Sequence, residues 1–327
     1  MTLQHPAATS DRSSKTPVTL VTGFLGSGKT TLISHLLQHR DLGETALIVN
    51  ELGEVGIDHH LLRRIDERTV LLDSGCVCCT LRGDLADELR DLDSRRARGE
   101  IPAFTRVVVE TTGLADPAPI AYTLAAEPVV RHHFALDGIV ATIDAVNGLV
   151  EPESIKQAAV ADVLVVTKTD LADPGHVEAR LRRLNPAAEI VEAAFGALDP
   201  ARLLGRPARD PRELVVEEHE HGGDIRPFCL LLDEPLDWTA FGIWLTMLLQ
   251  ARGADLLRVK GLLNVDGPGA VATGPLLLNG VQHVVYAPEH LDAWPDEDRR
   301  SRLVFIGRGL ERETVERSLL AFDAAAH

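Results

Sequence analysis

Val18-Thr19-Leu20-Val21-Thr22 is an apolar, β-branched run that leads straight into Gly23-Phe24-Leu25-Gly26-Ser27-Gly28-Lys29-Thr30, a complete G-x-x-x-x-G-K-[S/T] phosphate-binding loop. The run is a strand candidate, and Thr31-Leu32-Ile33-Ser34-His35-Leu36-Leu37 supplies the helix that such a loop requires behind it. At a strand-to-helix turn, successive backbone N–H groups and the helix dipole converge on an anion. The stretch therefore implies a nucleoside triphosphate site. Gly23, Gly26, Ser27, Gly28, Lys29, Thr30 and Thr31 are its candidate phosphate-side residues. Lys29 is expected to reach the β- and γ-phosphate oxygens and the Thr30 hydroxyl to ligate Mg²⁺.

Outward from this loop the chain alternates. Strand candidates at Thr45–Asn50, Val70–Leu72, Arg106–Glu110, Asp137–Ile143 and Asp162–Val166 are separated by helical stretches, among them 81–98 with Leu85, Leu89 and Leu92 at helical spacing. That order implies an α/β fold: a mostly parallel sheet with helices on both faces and ligands at the carboxyl ends of the strands. Past Asp199-Pro200 the composition turns to Gly, Pro, Arg and acidic residues, which reads as a linker. The expected division is a disordered tail over 1–16, a nucleotide-binding domain over 17–205, a linker over 206–224 and a smaller α+β domain over 225–327. In that last domain strands are expected at Pro227–Leu232, Leu256–Val265, around Leu276–Leu278, at Val281–Tyr286 and at Leu303–Ile306. Helices are expected at Trp238–Gln250 and at the end.

Composition excludes some partners. With 33 Lys plus Arg against 49 Asp plus Glu, the 327-residue chain carries a formal charge of −16, which argues against nucleic acid or an anionic membrane as the main partner. No signal peptide or transmembrane-length apolar run is visible, so a cytoplasmic protein is expected. Only five lysines occur, and two of them, Lys29 and Lys168, fall inside nucleotide motifs.

Thr167-Lys168-Thr169-Asp170 follows a strand and resembles the guanine-reading N/T-K-x-D signature. A carboxylate at Asp170 accepts from guanine N1–H and the exocyclic amino group, whereas adenine has no matching pair of donors. GTP is therefore the expected nucleotide. Glu110-Thr111-Thr112-Gly113 ends its strand where GTPases place a D-x-x-G element; Glu110 is expected to hold Mg²⁺ and Gly113 to sense the γ-phosphate. Asn50-Glu51-Leu52-Gly53-Glu54 ends another strand, in the position of a switch segment. Lys29, Thr30, Glu110 and Glu51 are the candidate catalytic residues.

Cys76-Val77-Cys78-Cys79 places three of the four cysteines within four residues. So tight a cluster cannot easily close a tetrahedron by itself, which points to an open, exchangeable metal site. Soft thiolates favour Zn²⁺ or Cu⁺, with Glu51 and Glu54 as candidate further ligands. A redox thiol pair and an inert buried cluster are the alternatives. Cys229, beside Leu230-Leu231-Leu232, reads as a core residue, and His219 and His221 as solvated linker residues.

Taken in order, GFLGSGKTTL, NELGEVGID, CVCC, ETTGLADP and ADVLVVTKTDL resemble the CobW-type branch of the metal-handling P-loop GTPases, relatives of the urease and hydrogenase maturation GTPases. Leu256–Gly261 and Arg302–Gly307 resemble that family's C-terminal domain. The resemblance implies a GTP-dependent metallochaperone, most often for zinc, that carries its ion on Cys76, Cys78 and Cys79 and releases it to a client protein on hydrolysis. Some relatives serve cobalt, in cobalamin synthesis or nitrile hydratase activation. No arginine or glutamine in these motifs stands out as a transition-state stabiliser, so a client or the protein's own homodimer is expected to supply one. A small-molecule kinase and a non-catalytic nucleotide-gated zinc sensor are the competing functional classes.

Overall fold

A computed structural model describes residues 15–39, 42, 44–50, 70–74, 83–204, 224–266 and 274–325. Seven parallel strands form the first sheet: β1 (Thr16–Gly23), β2 (Thr45–Asn50), β3 (Val70–Ser74), β4 (Arg106–Glu110), β5 (Phe134–Asp144), β6 (Val163–Thr167) and β7 (Glu189–Ala193). Their order is β3-β2-β4-β1-β5-β6-β7. Its helices are α1 (Lys29–Leu36), α2 (Gly83–Ala97), α3 (Pro117–Ala126), the single turn α4 (Val130–His133), α5 (Pro152–Val160) and α6 (Gly175–Leu184).

Alternating side chains feed both faces of the sheet. Val108 of β4 packs with Val21, Val140 and Val165 against Leu32, Ile33 and Leu36 of α1. Its neighbours Val107 and Val109 pack on the other side with Leu85, Leu89 and Leu92 of α2 and with Ile120 and Leu124 of α3. A strand buried on both faces has no polar side to spare, which is why Arg106–Glu110 reads almost continuously apolar. The expected sheet is present, with β7 as an addition that the sequence reading did not contain. Strand β1 also starts one residue earlier than the tail expected over 1–16 allows: Thr16 pairs with Phe134, and Arg96 donates to its hydroxyl at 3.0 Å.

The second sheet is built from β8 (Ile225–Leu232), β10 (Leu256–Leu263), β12 (Leu276–Val281), β13 (Val284–Val285), β14 (Glu289–His290) and β15 (Ser301–Arg308); the short β9 (Leu236–Asp237) pairs with β11 (Val265–Asp266). It is antiparallel, in the order β13-β12-β10-β15-β8 with β14 on β12. One face packs on α7 (Trp238–Arg252) and α8 (Arg312–Ala324) through Phe241, Trp244, Val315 and Leu319. The opposite face, with Leu257, Val304 and Ile306, joins the apolar core of the first domain. Asn279-Gly280 does not break the chain here as the separate strands expected at 276–278 and 281–286 require. The strand continues to Val281 and turns at Gln282, whose φ is 49°. Gly280 sits too close to Val259 for a side chain, since a Cβ there would lie 2.8 Å from Val259 Cγ1.

A bulge between Leu256 and Arg258 lets both Leu257 and Arg258 face the first domain. Arg258 is fully buried; it donates to Val160 O at 2.9 Å and pairs with Asp162. Lys260 Nζ lies 3.4 Å from the same carboxylate, whose other oxygen accepts from the Ile139 N–H at 3.0 Å. No helix among the described residues is long and apolar enough to cross a membrane.

Candidate functional site

Three left-handed or otherwise positive-φ glycines shape the loop between β1 and α1: Gly23 (φ 142°), Gly26 (φ 71°) and Gly28 (φ 93°). Gly23 has no room for a side chain, because a Cβ would meet Thr142 O at 2.5 Å and Ser27 Oγ at 2.6 Å. Lys29 folds back over the loop, and its ammonium donates to Gly23 O at 2.8 Å and Phe24 O at 3.2 Å. Those carbonyls hold the cation at the mouth of the loop. Buried Ser27 shares a 2.6 Å hydrogen bond with Thr142 at the end of β5.

Glu110 ends β4 beside β1, and the register sets Val21 opposite it. The Thr30 hydroxyl donates to the fully buried Glu110 carboxylate at 2.8 Å. Two hard oxygen donors thus meet at the start of α1, a set that suits Mg²⁺. Beyond Glu110 the chain stays against the phosphate-side loop: Thr111 Oγ1 donates to Thr22 Oγ1 at 2.9 Å, and a Cβ on Gly113 would lie 2.6 Å from Leu25 N. Gln157 of α5 holds this segment from behind, donating to Gly113 O at 3.2 Å and Ala115 O at 2.9 Å.

The Thr167-Lys168-Thr169-Asp170 turn joins the same site from β6. Thr167 donates to Ser27 O at 2.6 Å, so its hydroxyl ties this turn to the phosphate-side loop where many GTPases use an asparagine. Lys168 is left-handed (φ 58°), and its ammonium meets Asp144 Oδ2 at 2.9 Å. Burial alone would push the Asp144 carboxyl up, but the Asn147 N–H, the Lys168 ammonium and the Asn147 side chain outweigh it and leave it below the ordinary carboxylate value. Asp170 is exposed on the turn.

These contacts bring Gly23, Gly26, Ser27, Gly28, Lys29, Thr30, Thr31, Glu110, Gly113, Thr167, Lys168 and Asp170 to the carboxyl end of one sheet. Glu51, Glu54, Cys76, Cys78 and Cys79, with His219 and His221, lie outside the described residues. Asp144 and Gln157 were not singled out as site residues by the sequence. Asp144 carried a faint signal, since an acid three residues before Asn147 at a strand end is a turn signature. Gln157 carried none. Cys229 is core-packed as expected, and burial pushes its thiol up to about 11.

Residues 17–192 match the CobW/HypB/UreG nucleotide-binding domain, and residues 225–323 match the cobalamin synthesis protein CobW C-terminal domain. The chain belongs to the CobW/HypB/UreG family. Relatives within reach of this family member include the zinc chaperone YjiA of Escherichia coli, 34% identical over 310 residues that cover 91% of this chain and 96% of the relative. The zinc chaperone CobW of Pseudomonas aeruginosa is 31% identical over 362 residues, covering 93% and 91%. A crystal structure of Zn(II)-bound YjiA GTPase from E. coli superposes with a TM-score of 0.72 at 29% identity, covering 94% of this CobW/HypB/UreG chain and 99% of the other.

Proposed function

We propose that this chain is a GTP-hydrolysing metallochaperone. It carries a metal ion, zinc in the first place and cobalt as the alternative within the family, on Cys76, Cys78 and Cys79 with Glu51 and Glu54 completing the site. The ion passes to a client protein in the cytoplasm when GTP is hydrolysed. The observation that carries this reading is the register of three neighbouring strands: Glu110 pairs with Val49, Val49 with Asp73, and Asn50 with Ser74. Glu110 contacts Thr30 of the nucleotide loop, Glu51 directly follows Asn50, and Cys76 is two residues beyond Ser74. The strand that precedes the cysteine segment in sequence therefore ends two strand spacings, about 10 Å, from the end of β4, and the strand that precedes the switch-like segment ends between them. The zinc-chaperone relatives support the choice of ion.

In the working site Lys29 exchanges the Gly23 and Phe24 carbonyls for β- and γ-phosphate oxygens. Thr30 and Glu110 would hold Mg²⁺, which when bound would neutralise charge on the phosphates. The Gly113 N–H meets the γ-phosphate, Glu51 orients water, and Asp170 with Lys168 reads guanine. Water attacks the γ-phosphorus and the bond to the bridging oxygen breaks, so GDP leaves with the electron pair. Without an arginine from a client or a second copy, turnover on the order of 10⁻³ per second is expected.

Phosphate release from GTP and from ATP, with and without Zn²⁺, tests the reading in the wild type and in Lys29→Ala. Slow multiple turnover of GTP that is lost in Lys29→Ala, which keeps its fold, supports it. Transfer of the γ-phosphate to an organic acceptor would make the protein a kinase, and binding without turnover would make it a sensor.

A further inference from the structure

Phe195 is the most exposed large hydrophobic side chain among the described residues, at 76%. It follows β7 in the turn Ala194-Phe195-Gly196-Ala197, closed by the Ala197 N–H donating to Ala194 O at 2.9 Å. Phe195 (φ 53°) and Gly196 (φ 76°) are both left-handed. Turns with two successive left-handed central residues favour Asn, Asp or Gly at the first, because a bulky side chain there is strained. Phenylalanine is thus a poor residue for the turn, and its ring contributes little to the core. Neither local geometry nor packing accounts for it.

Its surroundings do. Ala193 pairs with Thr167, so the turn stands at the carboxyl end of the sheet beside Lys168 and Thr169, one strand spacing of about 4.8 Å away. Gly196 backs directly onto α1, since a Cβ there would lie 2.8 Å from Thr31 O. The Phe195 turn is wedged between the start of the helix behind the phosphate-side loop and the turn that carries Asp170. We infer that Phe195 is a binding residue for the purine of the nucleotide, offering its ring as a stacking face while Asp170 reads the base edge. The inference rests on the guanine-nucleotide reading above and adds to it the group that holds the face of the base. A purine presents a flat π-surface, and an exposed ring held by a tight turn is prepared to cover it at little further ordering cost.

GDP affinity measured by calorimetry for the wild type, Phe195→Ala and Phe195→Trp tests this, with inorganic tripolyphosphate as a probe of the phosphate end alone. Phe195→Ala is expected to weaken GDP binding by about 5- to 150-fold, the range for loss of a base–aromatic stack, and to leave tripolyphosphate affinity unchanged. Phe195→Trp is expected to retain GDP affinity and to show emission quenched by GDP beyond any change in the wild type. Phe195→Gly, which relieves the left-handed strain, is expected to melt no lower than the wild type while binding GDP as weakly as the alanine variant. If the wild type binds GDP and Phe195→Ala binds it equally well, or loses tripolyphosphate in proportion, the stacking role is overturned and the guanine-nucleotide reading stands. If the wild type binds no guanine nucleotide, both fall.

Discussion

Asp170 is the residue to which the proposed function assigns nucleotide identity. It is exposed on a turn that Thr167 fastens to Ser27 O and that Lys168 fastens to Asp144. The proposed reading gives its acceptor-only carboxylate the choice of guanine. Asp170→Asn adds donors, so the variant is expected to prefer XTP over GTP while keeping the same fold. Competition of the two nucleotides for one site measures it, and a retained GTP preference would remove Asp170 from the base site. The Asp144–Lys168 pair was illegible in the sequence for a physical reason: its partners are 24 residues apart and meet only because β5 and β6 are neighbours in register.

At the scale of elements, the segment after β4 is closely fitted to the phosphate-side loop. Gly113 approaches the Leu25 backbone so closely that Gly113→Ala must displace main chain, an overpacking cost of about 1–3 kcal/mol. The phosphate-side loop keeps its own Lys29 and Ser27 hydrogen bonds, so the segment after β4 is expected to yield, with GDP affinity holding within about threefold while GTP turnover falls about tenfold or more. Single-turnover hydrolysis beside GDP titration checks this, and equal turnover in the two proteins would deny Gly113 a part in sensing the γ-phosphate. The strands β1, β2, β4, β5 and β6 were legible because burial on both faces makes each a run of Val, Ile and Leu. Strand β7 was not, since Glu189-Ile190-Val191-Glu192-Ala193 is an edge strand with three of its five residues charged or small. Gln157 was hidden for another reason: a buried amide in an amphipathic helix looks like any polar position until Gly113 and Ala115, more than 40 residues earlier, are placed against it.

For the whole molecule, the two domains share an apolar core and a buried ion cluster, so the C-terminal domain is joined to the nucleotide domain by more than its linker. Burial alone would raise the Asp162 carboxyl, but Arg258, Lys260 and the Ile139 N–H more than reverse this and hold it below the ordinary carboxylate value. A depressed folded-state pKa contributes stability that is present above the unfolded value and is lost as pH falls through the folded one, so the window lies below about pH 4. Asp162→Asn is expected to be less stable at neutral pH, by about 3–5 kcal/mol for a broken buried pair, and to lose less on acidification than the wild type. Thermal melts between about pH 3 and 7 check it, and parallel curves for the two proteins would mean that Asp162 does not carry the acid sensitivity. The central claim is that the nucleotide site and the cysteine site form one machine, because Glu110, Asn50 and Ser74 end three adjacent strands. Coupling between two ligands is reciprocal and is commonly worth about 1–3 kcal/mol. Zn²⁺ affinity, measured by competition with a chelating dye at saturating Mg²⁺–GTP and without nucleotide, is therefore expected to differ by about 5- to 150-fold, tighter with GTP, with the difference erased when Cys76, Cys78 and Cys79 are all replaced by Ser. Equal Zn²⁺ affinities with and without GTP in the wild type would contradict the account.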